Sequence, residues 1–428
     1  MLLHLAFGKT GLPIEVPDDW DVDVIQPAHV PALPDPEQAL VQALKNPIDS
    51  FPLRELVAPS DRVGIVFSDI TRPAPSHLLI PAVLSQLDHI AMDNITLFNA
   101  LGTHRPNTDA ELRSILGSDL VDNYRIVQND TFDRSTQVFL GQTSRGHDVW
   151  LNRELTECDF VILTGFIEPH VFAGFSGGGK AIMPGMAGQQ TVLGNHGAQM
   201  IAHPRATWGI THGNPIWEEI QEVAHRVEHL FLLNVALNRD KAIVGVFAGS
   251  LDETHRAGCA FVKQTAMVPV DHTYDIVITS NSGYPLDLNL YQSVKGMSAA
   301  AQIVSQAGAI VIAADCWDGI PEHGLYSHLL RQAESPQHAL DRIHTPGFLK
   351  QDQWQVQLQA QIQLKADVFV HARGLSRDQI EAALLNHSPD VISTVSQLVE
   401  ARGGRASICV LPEGPQTIPF VLPPNAST

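Results

Sequence analysis

Residues 160–197 read FVILTGFIEPHVFAGFSGGGKAIMPGMAGQQTVLGNHG. The stretch opens on a short apolar run, Phe160–Leu163, that reads as a strand and passes straight into a glycine-rich segment. That segment, Thr164 to Gly197, holds nine glycines, two prolines, two histidines and a single lysine. Glycine at this density makes a poor helix or strand and loses much backbone entropy on ordering. Loops of this length without regular structure are uncommon in compact domains unless they are functional. The expectation is a backbone that approaches a bound group closely, with Lys180, His170 and His196 aimed at it.

Upstream, the same arrangement recurs. Arg62–Ser68 (RVGIVFS) is a buried-strand run that ends at Asp69-Ile70-Thr71-Arg72-Pro73, before an apolar helix from Ser76 to Leu87. Ile95–Leu101 is a second strand, ending at Gly102-Thr103-His104-Arg105-Pro106. The helix after it starts with a capping box, Thr108 to Glu111. Strands alternating with helices indicate an α/β protein with mainly parallel sheets. In such sheets ligands bind beyond the carboxyl ends of strands, which would collect Asp69, Arg72, His104 and His170 at one edge. Before these elements, residues 2–16 alternate around Gly8-Lys9-Thr10-Gly11 as a hairpin, and residues 17–60 carry many prolines around one helix, Pro36 to Lys45.

Downstream, a second and smaller α/β domain is expected. Its strands are Tyr274–Thr279, Ala309–Ala314, Val368–His371 and Ser407–Leu411, with a helix through Ser298–Gln306. Leu290–Gly296 (LYQSVKG) then falls at the carboxyl end of its first strand. The division expected is residues 1–270 and 274–411, with a linker in 266–273 and the tail 412–428 joining the first domain. The active site is expected in the cleft between the two domains.

The chain has 428 residues, 44% of them hydrophobic and 17% charged, which is globular and excludes global disorder. A net charge of −19 argues against nucleic acid or an anionic membrane as partner, since phosphate contacts need clustered Lys and Arg. The four cysteines are far apart, with no CxxC pair, so neither a disulfide framework nor a thiolate zinc site is indicated. No signal peptide and no membrane-length apolar run is read, and a soluble, cytoplasmic protein is expected.

Three chemistries could use the central segment. Gly174-x-x-x-x-Gly179-Lys180 fits most of a phosphate-binding loop, but Ala181 stands where magnesium needs Ser or Thr, and Pro184 interrupts the helix. Zinc hydrolysis by His104, His170 and His196, with His203 or His212, lacks HExxH and close spacing. Acid–base chemistry by two imidazoles on different loops, with a lysine able to carry a covalent group, is the third. A non-catalytic carboxylate-binding protein, gripping its ligand through Arg72 without a proton-transfer pair, stays open at this stage.

Taken together, LGTHRP around His104, GFIEPH at His170, FSGGGKAIMPG around Lys180 and GNH at His196 resemble the lactate racemase family. SDITRP at Ser68–Pro73 and YQSVKG at Tyr291–Gly296 resemble it too, in family order and across both domains. The resemblance implies a nickel-pincer nucleotide, a pyridinium mononucleotide with two sulfur donors and a nickel–carbon bond. It implies a thioamide link to Lys180, with Gly177, Gly178, Gly179 and Asp69 about the cofactor, and His196 as nickel's remaining ligand. His104 and His170 would be the acid–base pair. Arg72, Tyr291, Gln292 and Lys295 would contact the substrate.

The implied reaction is racemisation or epimerisation of a 2-hydroxy acid by proton-coupled hydride transfer, made possible by cofactor-synthesis enzymes as partners. Removing the α-hydrogen as hydride avoids a carbanion that an adjacent carboxylate stabilises poorly. Two histidines are needed because the two enantiomers present the hydroxyl on different sides. Lactate, malate, a longer hydroxy acid or a sugar acid would all suit; Arg105 is a candidate second cation for a dicarboxylate, and an ion pair beside the loop is its plainer role. A homo-oligomer is left open.

Overall fold

A computed structural model describes residues 1–322 and 324–422. Contacts divide the chain into two compact units: His29–His196 with His203–Gln264, and Met1–Ala28 with Gly197–Ala202 and the chain from Thr265 on. The first unit is built on a six-stranded sheet. Its order is Ile243–Gly249, Leu230–Leu237, Phe160–Phe166, Val63–Ser68, Ile95–Ala100 and Arg125–Gln128, with only the first pair antiparallel. The central strands are buried on both faces because their apolar runs do not alternate, as a sheet covered by helices requires. Ile65, Phe67, Leu97, Ile162 and Leu233 pack with helix residues Leu40, Leu79, Ile80, Val83 and Leu112 in one core. The capping box at Thr108 and Glu111 forms as expected and starts the helix Asp109–Leu116.

The second unit carries an all-parallel sheet of six strands. Its order is Asn386–His387, Ala366–His371, Val304–Ala313, Tyr274–Ser280, Ser407–Leu411 and Asp21–Val24. The N-terminal hairpin, Leu2–Leu5 with Leu12–Glu15, buries Leu5, Phe7 and Ile14 against Ile276, Val311 and Val410 of this sheet.

The fold class is the expected one, α/β with mainly parallel sheets, but the division of the chain differs from the expected 1–270 and 274–411. Residues 1–28 group with the second unit because Asp21–Val24 pairs with Ser407–Val410 and the Tyr274 hydroxyl donates to Asp23 at 2.8 Å. The stretch 266–273, expected as a linker, holds a strand, Met267–Val270, that pairs in parallel with Ile418–Val421. That pairing also puts the tail, expected on the first domain, in the second unit; residues 423–428 lie outside the described ones. The helix expected at Ser298–Gln306 instead runs Leu290–Ala301, because the Asn289 side chain caps it by accepting from the Gln292 N–H at 3.1 Å. Tyr291, Gln292 and Lys295 therefore sit in its first two turns. Among the described residues no helix is long and apolar enough to cross a membrane.

Candidate active site

Strands Phe160–Phe166, Val63–Ser68 and Ile95–Ala100 are neighbours in the first sheet, so the loops after them emerge side by side. Asp69, the first residue past Val63–Ser68, is buried. Its Oδ2 accepts from His104 Nδ1–H at 2.6 Å and its Oδ1 from the Thr71 hydroxyl at 2.8 Å. Burial pushes the Asp69 carboxyl up, but the His104 hydrogen bond and charge, with Arg72 and Thr71, outweigh it and hold the group below its ordinary value. With Nδ1 occupied, His104 keeps its Nε2 lone pair for the site. Asp69, expected beside the cofactor, is thus in the first place the partner of His104.

Arg72 lies 3.8 Å from Glu168, beyond hydrogen-bond distance, and Glu168 is a residue the sequence reading passed over. Arg105, the candidate second cation, is committed elsewhere: its guanidinium meets both oxygens of Glu111 at 2.7 and 2.8 Å. Its neighbourhood holds the Glu111 carboxyl down to about 2, with the Arg105 hydrogen bonds as the largest cause.

The glycine-rich segment resolves into a minimal hairpin, Pro169–His170 against Gly174–Phe175, a single helical turn at Gly178–Ala181 and a short helix, Gln189–Asn195. Gly174 adopts φ +78°, and a Cβ there would run into the Ile210 carbonyl. In the tight turn of this hairpin the backbone N–H groups of Phe172 and Ala173 point at His170 Nδ1, 3.5 and 3.3 Å away. The Phe172 ring meets His170 edge-on at 4.6 Å and His196 edge-on at 4.9 Å, and Lys180 Nζ stands 5.7 Å from its centroid. Phe172 is therefore the hub on which three expected residues converge, and nothing but its place in the segment marked it.

The three glycines before Lys180 have a reason of their own to be small. A Cβ on Gly177 would lie 2.5 Å from Asn234 Oδ1, and one on Gly178 would lie 2.5 Å from the His255 ring. One on Gly179 would strike Gln221. Asn234 Oδ1 also accepts from the Gly178 N–H at 2.8 Å. His255 is a buried pillar under the loop: it stacks on Trp217 at 4.5 Å and donates from Nε2–H to the Ser176 carbonyl at 2.9 Å. Burial, more than any other cause, drives His255 down to about 4.

His196 is buried and pushed down to about 3, by desolvation first and then by the Lys180 charge, so its imidazole is neutral at any physiological pH. Its Nδ1–H donates to Asn195 Oδ1 at 3.0 Å, which puts the ring's lone pair on Nε2. Asn195 in turn donates from Nδ2 to the Ile216 carbonyl at 3.1 Å and to Glu219 Oε2 at 2.9 Å. Glu219, also buried, is the second group the sequence reading passed over.

In the second unit, Tyr291 accepts at its hydroxyl from Trp354 Nε1–H at 3.1 Å, and its ring meets Tyr326 edge-on at 5.3 Å. Lys295 lies one turn further along the same helix face. His203 and His212 are exposed. Among the described residues no group of three or more His, Cys, Asp or Glu side chains is placed to hold a metal ion, which leaves the all-histidine zinc site without support.

Comparison with known proteins adds an independent line. The family model of the lactate racemase N-terminal domain matches residues 7–209, and that of the lactate racemase C-terminal domain matches residues 270–418. Lactate racemase of Lactiplantibacillus plantarum is 37% identical over 381 residues, 88% of this chain and 89% of that protein. Lactate racemase of Thermoanaerobacterium thermosaccharolyticum is 32% identical over 421 residues, 97% of this chain and 98% of that one. The solved structure of the apoprotein of the lactate racemase from Thermoanaerobacterium thermosaccharolyticum superposes with a TM-score of 0.92, at 31% identity, over 99% of this chain and 100% of that one. A Thermotoga maritima protein at 18% identity and TM-score 0.69 shares the fold, over 90% of this chain and 98% of that one.

Proposed function

The chain belongs to the lactate racemase family, and from that premise we propose that it is an isomerase that racemises or epimerises a 2-hydroxy acid at Cα. The observation that carries the proposal is the convergence of His170, Lys180 and His196 on the Phe172 ring. A lysine beside two buried imidazoles suits a covalently held, metal-bearing group better than a plain binding pocket.

The residues present fit a nickel-pincer nucleotide. Lys180 would carry it through its amine, and His196 would offer nickel its neutral Nε2. No further protein donor is needed, because the other donors belong to the nucleotide. Gly177, Gly178 and Gly179 would lie against it through their backbone. When bound, the group supplies a carbon that takes up a hydride and gives it back.

The chain's own residues have the remaining tasks. Arg72 would hold the substrate carboxylate through two parallel N–H donors, and its loose pairing with Glu168 leaves those donors available. His104 Nε2 would take the hydroxyl proton of one enantiomer, with Asp69 holding the ring in the correct tautomer. His170 would return a proton to the oxygen as the opposite configuration forms, and the two imidazoles would exchange roles for the other enantiomer. Tyr291, Gln292 and Lys295 are assigned to substrate binding on the strength of the family motif. Lactate, malate and sugar acids all remain in the substrate class; Arg105, tied to Glu111, lends a dicarboxylate no support. Cofactor-synthesis enzymes are the implied partners, and four free cysteines suit a reduced, cytoplasmic setting.

The test has two parts. Protein made together with the cofactor-synthesis enzymes should carry extra intact mass that Lys180→Ala abolishes. Given substrate deuterated at Cα, it should form product of the opposite configuration that retains the label. Fully active protein of unmodified mass, or early appearance of solvent hydrogen at Cα, overturns the proposal.

A further inference from the structure

Behind His196 runs a chain of buried polar contacts that the reaction itself does not use. Glu219 lies on the helix Pro215–Ala224 and is only 2% exposed. Its Oε1 accepts from the Thr143 hydroxyl at 2.7 Å and from His147 Nδ1–H at 2.8 Å, and its Oε2 from Asn195 Nδ2 at 2.9 Å. Burial pushes the carboxyl up, yet these three hydrogen bonds and the His147 charge hold it below its ordinary value, so it stays ionised. A buried carboxylate with every partner a donor is an arrangement that tolerates little rearrangement.

The consequence falls on the Asn195 amide. Its oxygen and nitrogen are nearly equal in size, and only hydrogen bonding decides which way the group faces. On one side stand two acceptors, the Ile216 carbonyl and the Glu219 carboxylate, so the NH2 must face them. Oδ1 is thereby turned to His196 Nδ1, 3.0 Å away, and that nitrogen must carry the proton. The Nε2 lone pair is then the only one a metal could use, since one neutral imidazole offers a donor and an acceptor but not two of either. Metal-binding histidines elsewhere have their tautomer fixed by such a partner on the other ring nitrogen.

We propose that Glu219 is a positioning residue for His196, acting through Asn195 to fix the tautomer that presents Nε2; the proposal rests on the reading of His196 as nickel's protein ligand. Glu219→Gln keeps the size but can offer Asn195 either an oxygen or an NH2, so the amide becomes free to turn. Asn195→Ala removes the same link from the other end.

The tautomer is read first in metal-free protein, from the ring nitrogen shifts of 15N-histidine, with His196 assigned by its loss in His196→Ala. The parent should show Nδ1–H, and both Glu219→Gln and Asn195→Ala should show a mixture or Nε2–H. Nickel loss from cofactor-loaded protein under a chelator should then be about 10-fold faster or more in both variants, as outer-sphere changes commonly cost metal sites. If folded Glu219→Gln or folded Asn195→Ala keeps Nδ1–H and retains nickel like the parent, the proposal is overturned. If His196→Ala retains nickel like the parent, it is the nickel reading that falls, and the tautomer measurement still decides what Glu219 does.

Discussion

His104 and His170 follow two strands that flank the same central strand, yet the two regions hold their imidazoles in opposite ways. The His104 loop leaves the side chain 40% exposed and fixes it through one side-chain carboxylate, Asp69, at 2.6 Å. The glycine-rich segment buries His170 to 9% and turns two backbone N–H groups on its Nδ1. His104 is thus oriented through a charged acceptor at its Nδ1, whereas the Nδ1 of His170 is met by backbone donors. The first arrangement can be undone by one substitution. The second is written in the backbone, and only proline at 172 or 173 would take a donor away.

Substitution tests this contrast most severely at the imidazoles themselves. His104→Ala and His170→Ala should each lower racemisation by roughly 10²–10⁴-fold, the range for losing a general acid–base group. In single-turnover assays of cofactor-loaded protein the two variants should fail to oxidise opposite enantiomers to the keto acid. If both failed with the same enantiomer, the division of labour between the two regions would be wrong.

A smaller effect is expected at Asp69. Asp69→Asn keeps an acceptor near His104 but loses its charge, which should lower turnover about 10- to 100-fold, the worth of a hydrogen bond to a charged group. The same variant has a signature in acid. The folded-state value of the Asp69 carboxyl lies below its unfolded one, so its contribution to stability is present above about pH 4 and is lost as the pH falls through the folded value. Unfolding of Asp69→Asn by urea should accordingly depend less on pH between 7 and 3 than unfolding of the parent. An equal dependence would mean that the Asp69–His104 contact adds nothing to the fold.

The least effect belongs to Arg105→Ala. Its pair with Glu111 is solvent-exposed on the arginine side, so stability should fall by no more than about 1 kcal/mol, with turnover of a monocarboxylate unchanged. A substrate-specific rise in KM for a dicarboxylate alone would restore Arg105 as a second cation.

The two regions also differ in how far the amino-acid sequence reveals them. Apolar runs such as Val63–Ser68 and Phe160–Phe166, each ending in ionisable residues, announce both the strand and the place where its loop binds. Asp21–Val24 is four residues long with two aspartates, and only its pairing with Ser407–Val410 makes it a strand. That strand accounts for the grouping of residues 1–28 with the second unit, and the pairing of Met267–Val270 with Ile418–Val421 for the rest of the shifted boundary. The helix Gln353–Lys365 alternates glutamine with apolar residues like a strand, yet Gln355, Gln357 and Gln359 are buried because each donates to a carbonyl: Tyr291, Ala198 and Ala383. Alternation marks a half-buried strand only when the polar positions lack partners inside.

Within the site, His104, His170, Lys180 and His196 stand out because few residue types can do such chemistry. Asn195 and Glu219 do not, since an asparagine before a histidine and a glutamate in a helix are ordinary until the fold brings them to 2.9 Å. Glycines 177–179 were noticed for a ligand's sake; the neighbours that forbid a side chain there, Asn234, His255 and Gln221, come from elements more than forty residues away.

The unequal surroundings of the two imidazoles give the proposed reaction a history. A proton taken up by His104 comes to rest beside the Asp69 carboxylate, whereas one taken up by His170 faces the positive ends of two amide dipoles. The molecule that has just converted one enantiomer would be left with the proton on the other imidazole of the pair, set for the return journey. It must lose a proton from one ring and regain one on the other before it can repeat itself. A racemate at equilibrium would hide the asymmetry, but an isotopic label introduced into one hand only would cross to the other unevenly at high substrate concentration, as if the protein remembered its last customer.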